Sequence, residues 1–232
     1  MTDRTTILTP DQSGYLVSDA QRNKVLRNTY WLLALSLLPT VLGAWMGVEL
    51  GLAVLFRGWL GMILFLGVAF AFIYGIEKTK NSATGVPVLL GFTFFMGLML
   101  SPMIQATLGF RNGPQLIMIA FTGTAGVFMG MAALSTIIKR DLSGMGKFLF
   151  VGLIMLVIGG LINAFVGSTA GMIVLSMISI GIFSAYMLYD LKRIVDGGET
   201  NYISATLALY LDIINVFQSL LALLGIFGGE RE

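Results

Sequence analysis

The stretch ISATLALYLDIINVFQSLLALLGIF, residues 203–227, decides the fold class. A helix crossing the hydrocarbon of a bilayer needs about 20 mostly apolar residues at ~1.5 Å each. This run is long enough and carries a single charged side chain, Asp212. Six further segments of the same kind precede it: Tyr30–Val48, Leu52–Gly75, Ala83–Gln105, Pro114–Ile138, Phe148–Val166 and Thr169–Leu191. The separators are short and rich in helix breakers, such as Gly109 to Gly113 and Asp196 to Asn201. The expected architecture is therefore an all-α integral membrane protein, a bundle of seven transmembrane helices. Residues 1–27 read as a polar tail, 28–229 as one membrane domain and 230–232 as the C-terminal end.

Composition points the same way. Of 232 residues, 56% are hydrophobic and 11% charged, against about a quarter charged in soluble domains. Zero cysteines exclude disulfides and thiolate chemistry, and zero histidines remove the usual near-neutral proton switch. A net charge of +2 gives no reason to expect a nucleic-acid partner. Eleven of the fourteen Lys and Arg fall in the tail and the even-numbered loops: Arg4, Arg22, Lys24, Arg27, Lys78, Lys80, Lys139, Arg140, Lys147, Lys192 and Arg193. Only Arg57, Arg111 and Arg231 lie on the other side. The positive-inside rule then expects the N-terminus in the cytoplasm and the C-terminus outside. The tail reads either as a disordered cytoplasmic segment or as a handle gripped by another protein.

No catalytic signature stands out. Gly144-Met145-Gly146-Lys147 lacks the spacing of a phosphate-binding G-x-x-x-x-G-K-S/T loop. Neither intramembrane acid has the Gly-x-Gly-Asp setting of an intramembrane aspartyl protease. The chain is expected to be no enzyme and to need no cofactor.

Two acids remain. Asp212 lies about 15 Å into the last helix, counted from Tyr202, and Asp190 about 10 Å from the helix end expected at Gly197-Gly198. The helices are consecutive and antiparallel, so the carboxyl groups are expected at similar depth and able to meet. An intramembrane carboxylate costs at least about 2.5–3.5 kcal/mol. Two such groups facing each other do not both ionise freely, and the pair is expected to share a proton and release it in two coupled steps. That makes a proton-sensitive gate and, once deprotonated, a weak calcium site of hard oxygens. The plainer alternatives are that Asp190 pairs with Lys192 or Arg193, and that Asp212 is a protonated acid bonded to a neighbouring helix. Asn215 and Ser219 follow Asp212 at i+3 and i+7 on one face, with Gln218 one step aside, a polar stripe suited to a cation pathway.

Weaker features are Gly43-x-x-x-Gly47 and Gly126-x-x-x-Gly130, which match the small-residue packing pattern. Pro39, Pro87 and Pro102 are either kinks or tolerated by neighbours. Trp31, Trp45 and Trp59 suit interfacial anchors.

Several motifs together resemble the Bax inhibitor-1 family, in its YccA-like bacterial branch: Ala185-Tyr186-Met187-Leu188-Tyr189-Asp190, Gly197-Gly198-Glu199-Thr200-Asn201-Tyr202, Leu209-Tyr210-Leu211-Asp212-Ile213-Ile214-Asn215-Val216-Phe217, Lys139-Arg140-Asp141-Leu142-Ser143 and Lys24-Val25-Leu26-Arg27-Asn28-Thr29-Tyr30. The resemblance implies a seven-helix bundle with a central two-layer arrangement. It also implies a pH-sensitive calcium leak gated by a di-aspartyl pair, here Asp190 and Asp212. Some bacterial relatives latch the first acid with an arginine near the end of span two. This chain reads Glu77-Lys78-Thr79-Lys80 there, leaving Lys78 and Lys80 as latch bases without a bidentate fork. The branch is also associated with modulation of the membrane protease FtsH, with an exposed N-terminal tail. The reading placed first is a passive, pH-sensitive cation leak; the alternative is a membrane-embedded FtsH modulator in the bacterial inner membrane.

Overall fold

The computed structural model describes residues 19–51 and 58–230. The first eighteen residues of the tail, Arg57, the side chain of Trp59 and Arg231 lie outside that description. Seven helices follow one another: α1 Asp19–Glu49, α2 Gly58–Thr79, α3 Gly85–Leu108, α4 Gly113–Ile137, α5 Met145–Val166, α6 Thr169–Val195 and α7 Tyr202–Gly228. All seven are long and apolar enough to cross a membrane.

Three helix ends run four or more residues beyond the apolar segments, each for a polar reason. α1 begins at Asp19 rather than Tyr30, so residues 19–27 are helical and not tail; Asp19 stands in its first turn and pairs with Arg22. α2 runs on to Thr79, with Lys78 in its last turn and Glu77 paired to Lys80. α6 continues to Val195, with Lys192 and Arg193 in the last turn. Cations there face the negative pole of the helix dipole, so helix outlasts hydrophobicity.

α7 is the hub. It contacts every helix except α5, and it buries residues all round its circumference, from Ile203 to Leu221. Such burial suits a helix whose apolar residues lie on every side. α5 is the opposite case: it touches only α6 and leaves Phe148, Phe150, Met155, Ile158 and Phe165 exposed, a surface suited to lipid.

α1 and α3 form the closest pair. A Cβ on Gly43 would stand 2.2 Å from the Phe94 carbonyl oxygen, and one on Gly97 2.1 Å from that of Thr40. Gly47 meets Ser101 in the same seam. Gly126 and Gly130 have open space where a Cβ would stand, so only the first of the two glycine patterns packs helix on helix. In the same seam Pro102 has no N–H for the Leu98 carbonyl four residues earlier. Ser101 Oγ takes that role, donating to Leu98 O at 2.7 Å.

Hydroxyls then lock α1 and α3 to α7. Tyr210 is fully buried, edge-on to Phe92 at 6.2 Å between centroids. Thr40 Oγ1 donates to Ser36 O at 2.8 Å, so the Tyr210 hydroxyl, 2.8 Å away, is the donor between them. The same hydroxyl lies 3.3 Å from Thr93 O. A buried phenol needs this kind of partner, and here it fixes the rotation of α7.

Candidate functional site

The loop between α6 and α7 sets the site. Gly197, at φ +80°, takes the left-handed turn that stops α6. Asn201 then caps α7, its Oδ1 accepting from Ile203 N at 2.9 Å and Ser204 N at 3.1 Å. Its amide reaches sideways to Lys80 O at 3.1 Å and Asn81 Oδ1 at 2.8 Å, tying this loop to the α2–α3 turn. Glu199 Oε1 accepts from Asn201 N at 2.8 Å. On the same side of the bundle, in the α4–α5 loop, Asp141 accepts from the Ser143 amide and hydroxyl, both at 2.8 Å. Those bonds hold its carboxyl below the usual carboxylate range.

Asp190 lies five residues before the end of α6 at Val195, about 7.5 Å along the axis, and Asp212 ten residues into α7, about 15 Å. α6 and α7 pack directly on one another. Among the described residues no hydrogen bond joins the two acids. Asp212 is 5% exposed, and its Oδ2 is buried with no hydrogen-bond partner. Asp190 is 14% exposed and faces a guanidinium, Arg193 Nη1, at 3.8 Å.

Arg193 is the charged centre of this end. Beyond Asp190 it reaches Glu199 Oε2 at 3.6 Å and lies over the Tyr189 ring, 5.8 Å from its centroid. Lys192 turns away to Asp196 at 2.6 Å. Lys80 is held by Glu77 one turn before it. The base beside the first acid is thus Arg193 of its own helix, while Lys78 and Lys80 make no ion pair with either acid among the described residues. The spacing i, i+3 on a helix was the available sign for Arg193.

The polar stripe is satisfied inside the protein. Asn215 Nδ2 donates to Leu211 O at 2.7 Å. Ser219 Oγ lies 2.7 Å from Asn215 O and 2.8 Å from Ser179 Oγ, a link across to α6. Gln218 is half-buried. Calcium usually takes six to eight oxygens, and among the described residues no group of three or more His, Cys, Asp or Glu could hold a metal ion. Asp190 and Asp212 alone fall well short of that number of ligands.

A family model described as "Inhibitor of apoptosis-promoting Bax1" matches residues 22–229. An uncharacterized membrane protein of Vibrio cholerae is 39% identical over 210 residues, covering 90% of this chain and 92% of its own length. A protein of Escherichia coli named "Modulator of FtsH protease YccA" is 36% identical over 203 residues, covering 88% of this chain and 90% of its own. An uncharacterized protein of Neisseria meningitidis is 34% identical over 223 residues, covering 95% and 98%.

Proposed function

The chain belongs to the Bax inhibitor-1 family, a family of non-enzymatic membrane proteins, and we propose that it acts as a membrane-embedded modulator of an FtsH-type protease in a bacterial inner membrane. The observation that carries this reading is the 36% identity to the E. coli FtsH modulator across 88% of the chain. Likeness over all seven helices, rather than over one motif, supports a shared task and not only a shared fold. This reverses the order of the two readings set by the residues alone. The N-terminal segment is the handle we assign to the protease, and the excess of Lys and Arg on its side supports a cytoplasmic position for it. Co-purification of FtsH from native membranes tests this. The full chain is expected to retain FtsH, and the chain lacking residues 2–18 to lose most of it. Equal recovery of the protease with both discards the handle, and recovery with neither discards the partnership.

One observation favours a second activity of the same bundle, passage of cations under control of Asp190 and Asp212. A buried carboxylate oxygen without a partner, in the field of a second acid, is costly to keep, and the weak oxygen site it forms suits a leak of calcium better than its storage. In liposomes, calcium entry is expected to vary with pH and to lose that variation in Asp212→Asn. Flux equal to that of empty vesicles, or unchanged in the variant, rejects it.

A further inference from the structure

The last turn of a helix leaves four carbonyls without intrahelical donors beyond it. At the end of α6 the chain itself supplies three. Asp196 N bonds Lys192 O at 2.8 Å, Gly198 N and Glu199 N bond Arg193 O at 2.8 and 3.1 Å, and Gly197 N bonds Ile194 O at 3.1 Å. The fourth carbonyl, that of Val195, is reached from another helix. Arg22 Nη1, in the first turns of α1, donates to it at 3.3 Å.

Arg22 is aimed at that carbonyl. Its Nη2 pairs with Asp19 one turn earlier, which steers the guanidinium along α1. Its Nε is buried with no partner, so that nitrogen gives up water, while the side chain as a whole is 35% exposed. A cation at a helix C-terminus also meets the negative pole of the dipole. The turn being held is the one that matters to the acids: Arg193, two residues before Val195, carries the ion pairs to Asp190 and Glu199.

We infer that Arg22 is a positioning residue for the acid site, an interhelical cap that fastens the last turn of α6, and with it Arg193 and Asp190, to the start of α1. The chain ahead of Asp19 then runs directly into the clamp on the acid-bearing helix. Anything that grips those residues and displaces the first turn of α1 releases the end of α6. The inference rests on contacts alone and holds under either reading of function, so its failure leaves both standing.

Hydrogen–deuterium exchange of the full chain in lipid nanodiscs tests it. Arg22→Gln removes the charge and the guanidinium and leaves a shorter side chain ending in a neutral amide. In that variant the amides of Gly197, Gly198 and Glu199 are expected to exchange about tenfold faster, the factor matching one charge-assisted hydrogen bond. Amides of α3 are expected to stay at the wild-type rate. Arg22→Lys retains the charge and one donor and has no Nε to bury, so it is expected to restore slow exchange at the three amides. Coupling is reciprocal: Gly197→Val, strained at φ +80°, is expected to speed exchange over residues 23–27. Unchanged loop exchange in Arg22→Gln, an equal rise along α3, failure of lysine to rescue, or a silent α1 in Gly197→Val overturns the inference.

Discussion

At the residue scale, the polar side chains inside this bundle divide into those that lock it and a few buried atoms left without a partner, Thr29 Oγ1, Ser204 Oγ and Asp212 Oδ2 among them. Tyr210 locks: its hydroxyl donates to Thr40 of α1 and lies 3.3 Å from the Thr93 carbonyl of α3. Tyr210→Phe keeps the packing against Phe92 and loses only these polar contacts. It is expected to lower stability in detergent by about 0.6–1 kcal/mol, the range for buried polar contacts between membrane helices, as read from reversible unfolding. Ser101 offers a sharper test because its task is set by a neighbour. Ser101→Ala strands the Leu98 carbonyl and is expected to cost about 1–2 kcal/mol. In a Pro102→Ala background an alanine N–H supplies the missing donor, and the cost of losing the hydroxyl is expected to shrink to a few tenths in a double-mutant cycle. Asp212 is the acid among the open groups, with Oδ2 unpartnered, and its position in an apolar run is the sequence feature that suggests an intramembrane function for it. A charged side chain in the middle of residues 203–227 has no structural excuse that hydrophobicity can supply.

At the scale of the element, sequence and structure part company at helix ends and helix faces. Hydropathy reports where lipid is, so it loses α1 before Tyr30 and α6 after Leu191, where the helices continue through Lys and Arg. Glycine patterns suffer from a different loss: Gly43-x-x-x-Gly47 and Gly126-x-x-x-Gly130 are equivalent as strings. Only the neighbouring helix separates them, the Phe94 carbonyl against Gly43 and Ser101 against Gly47, with open space against the second set. Gly97→Ala is therefore expected to push α1 from α3 and cost about 1–3 kcal/mol, as overpacked cores do. Gly126→Ala is expected to be neutral or slightly stabilising, since alanine is the better helix former by about 1 kcal/mol. Equal effects of the two, measured by thermal unfolding in one detergent, contradict the assigned seam. The pairing of α6 with α7 was readable from their short loop, whereas the partner of Asp190 depended on which of Lys192, Arg193, Lys78 and Lys80 turned toward it.

At the scale of the whole molecule, a buried α7 ringed by five helices carries both a rigid side and an adjustable one. Toward α1 and α3 it is fixed by tight glycine contacts and the Tyr210 hydroxyl. Toward α6 it is joined by the Ser219–Ser179 hydrogen bond, while among the described residues no hydrogen bond joins Asp212 to Asp190, and the end of α6 is tied to α1 by Arg22. Under the proposed function, such a bundle would offer a protease a firm body and one helix whose end is tied to the start of α1. With seven spans, the two termini are expected on opposite sides, and reporter fusions at each are expected to label from opposite faces of the membrane. The most direct measurement places purified FtsH and this protein in the same liposomes and follows ATP-dependent degradation of a membrane substrate. The account predicts degradation that slows as the protein is added and recovers when residues 2–18 are removed from it. Degradation at the same rate with and without the intact protein contradicts the account.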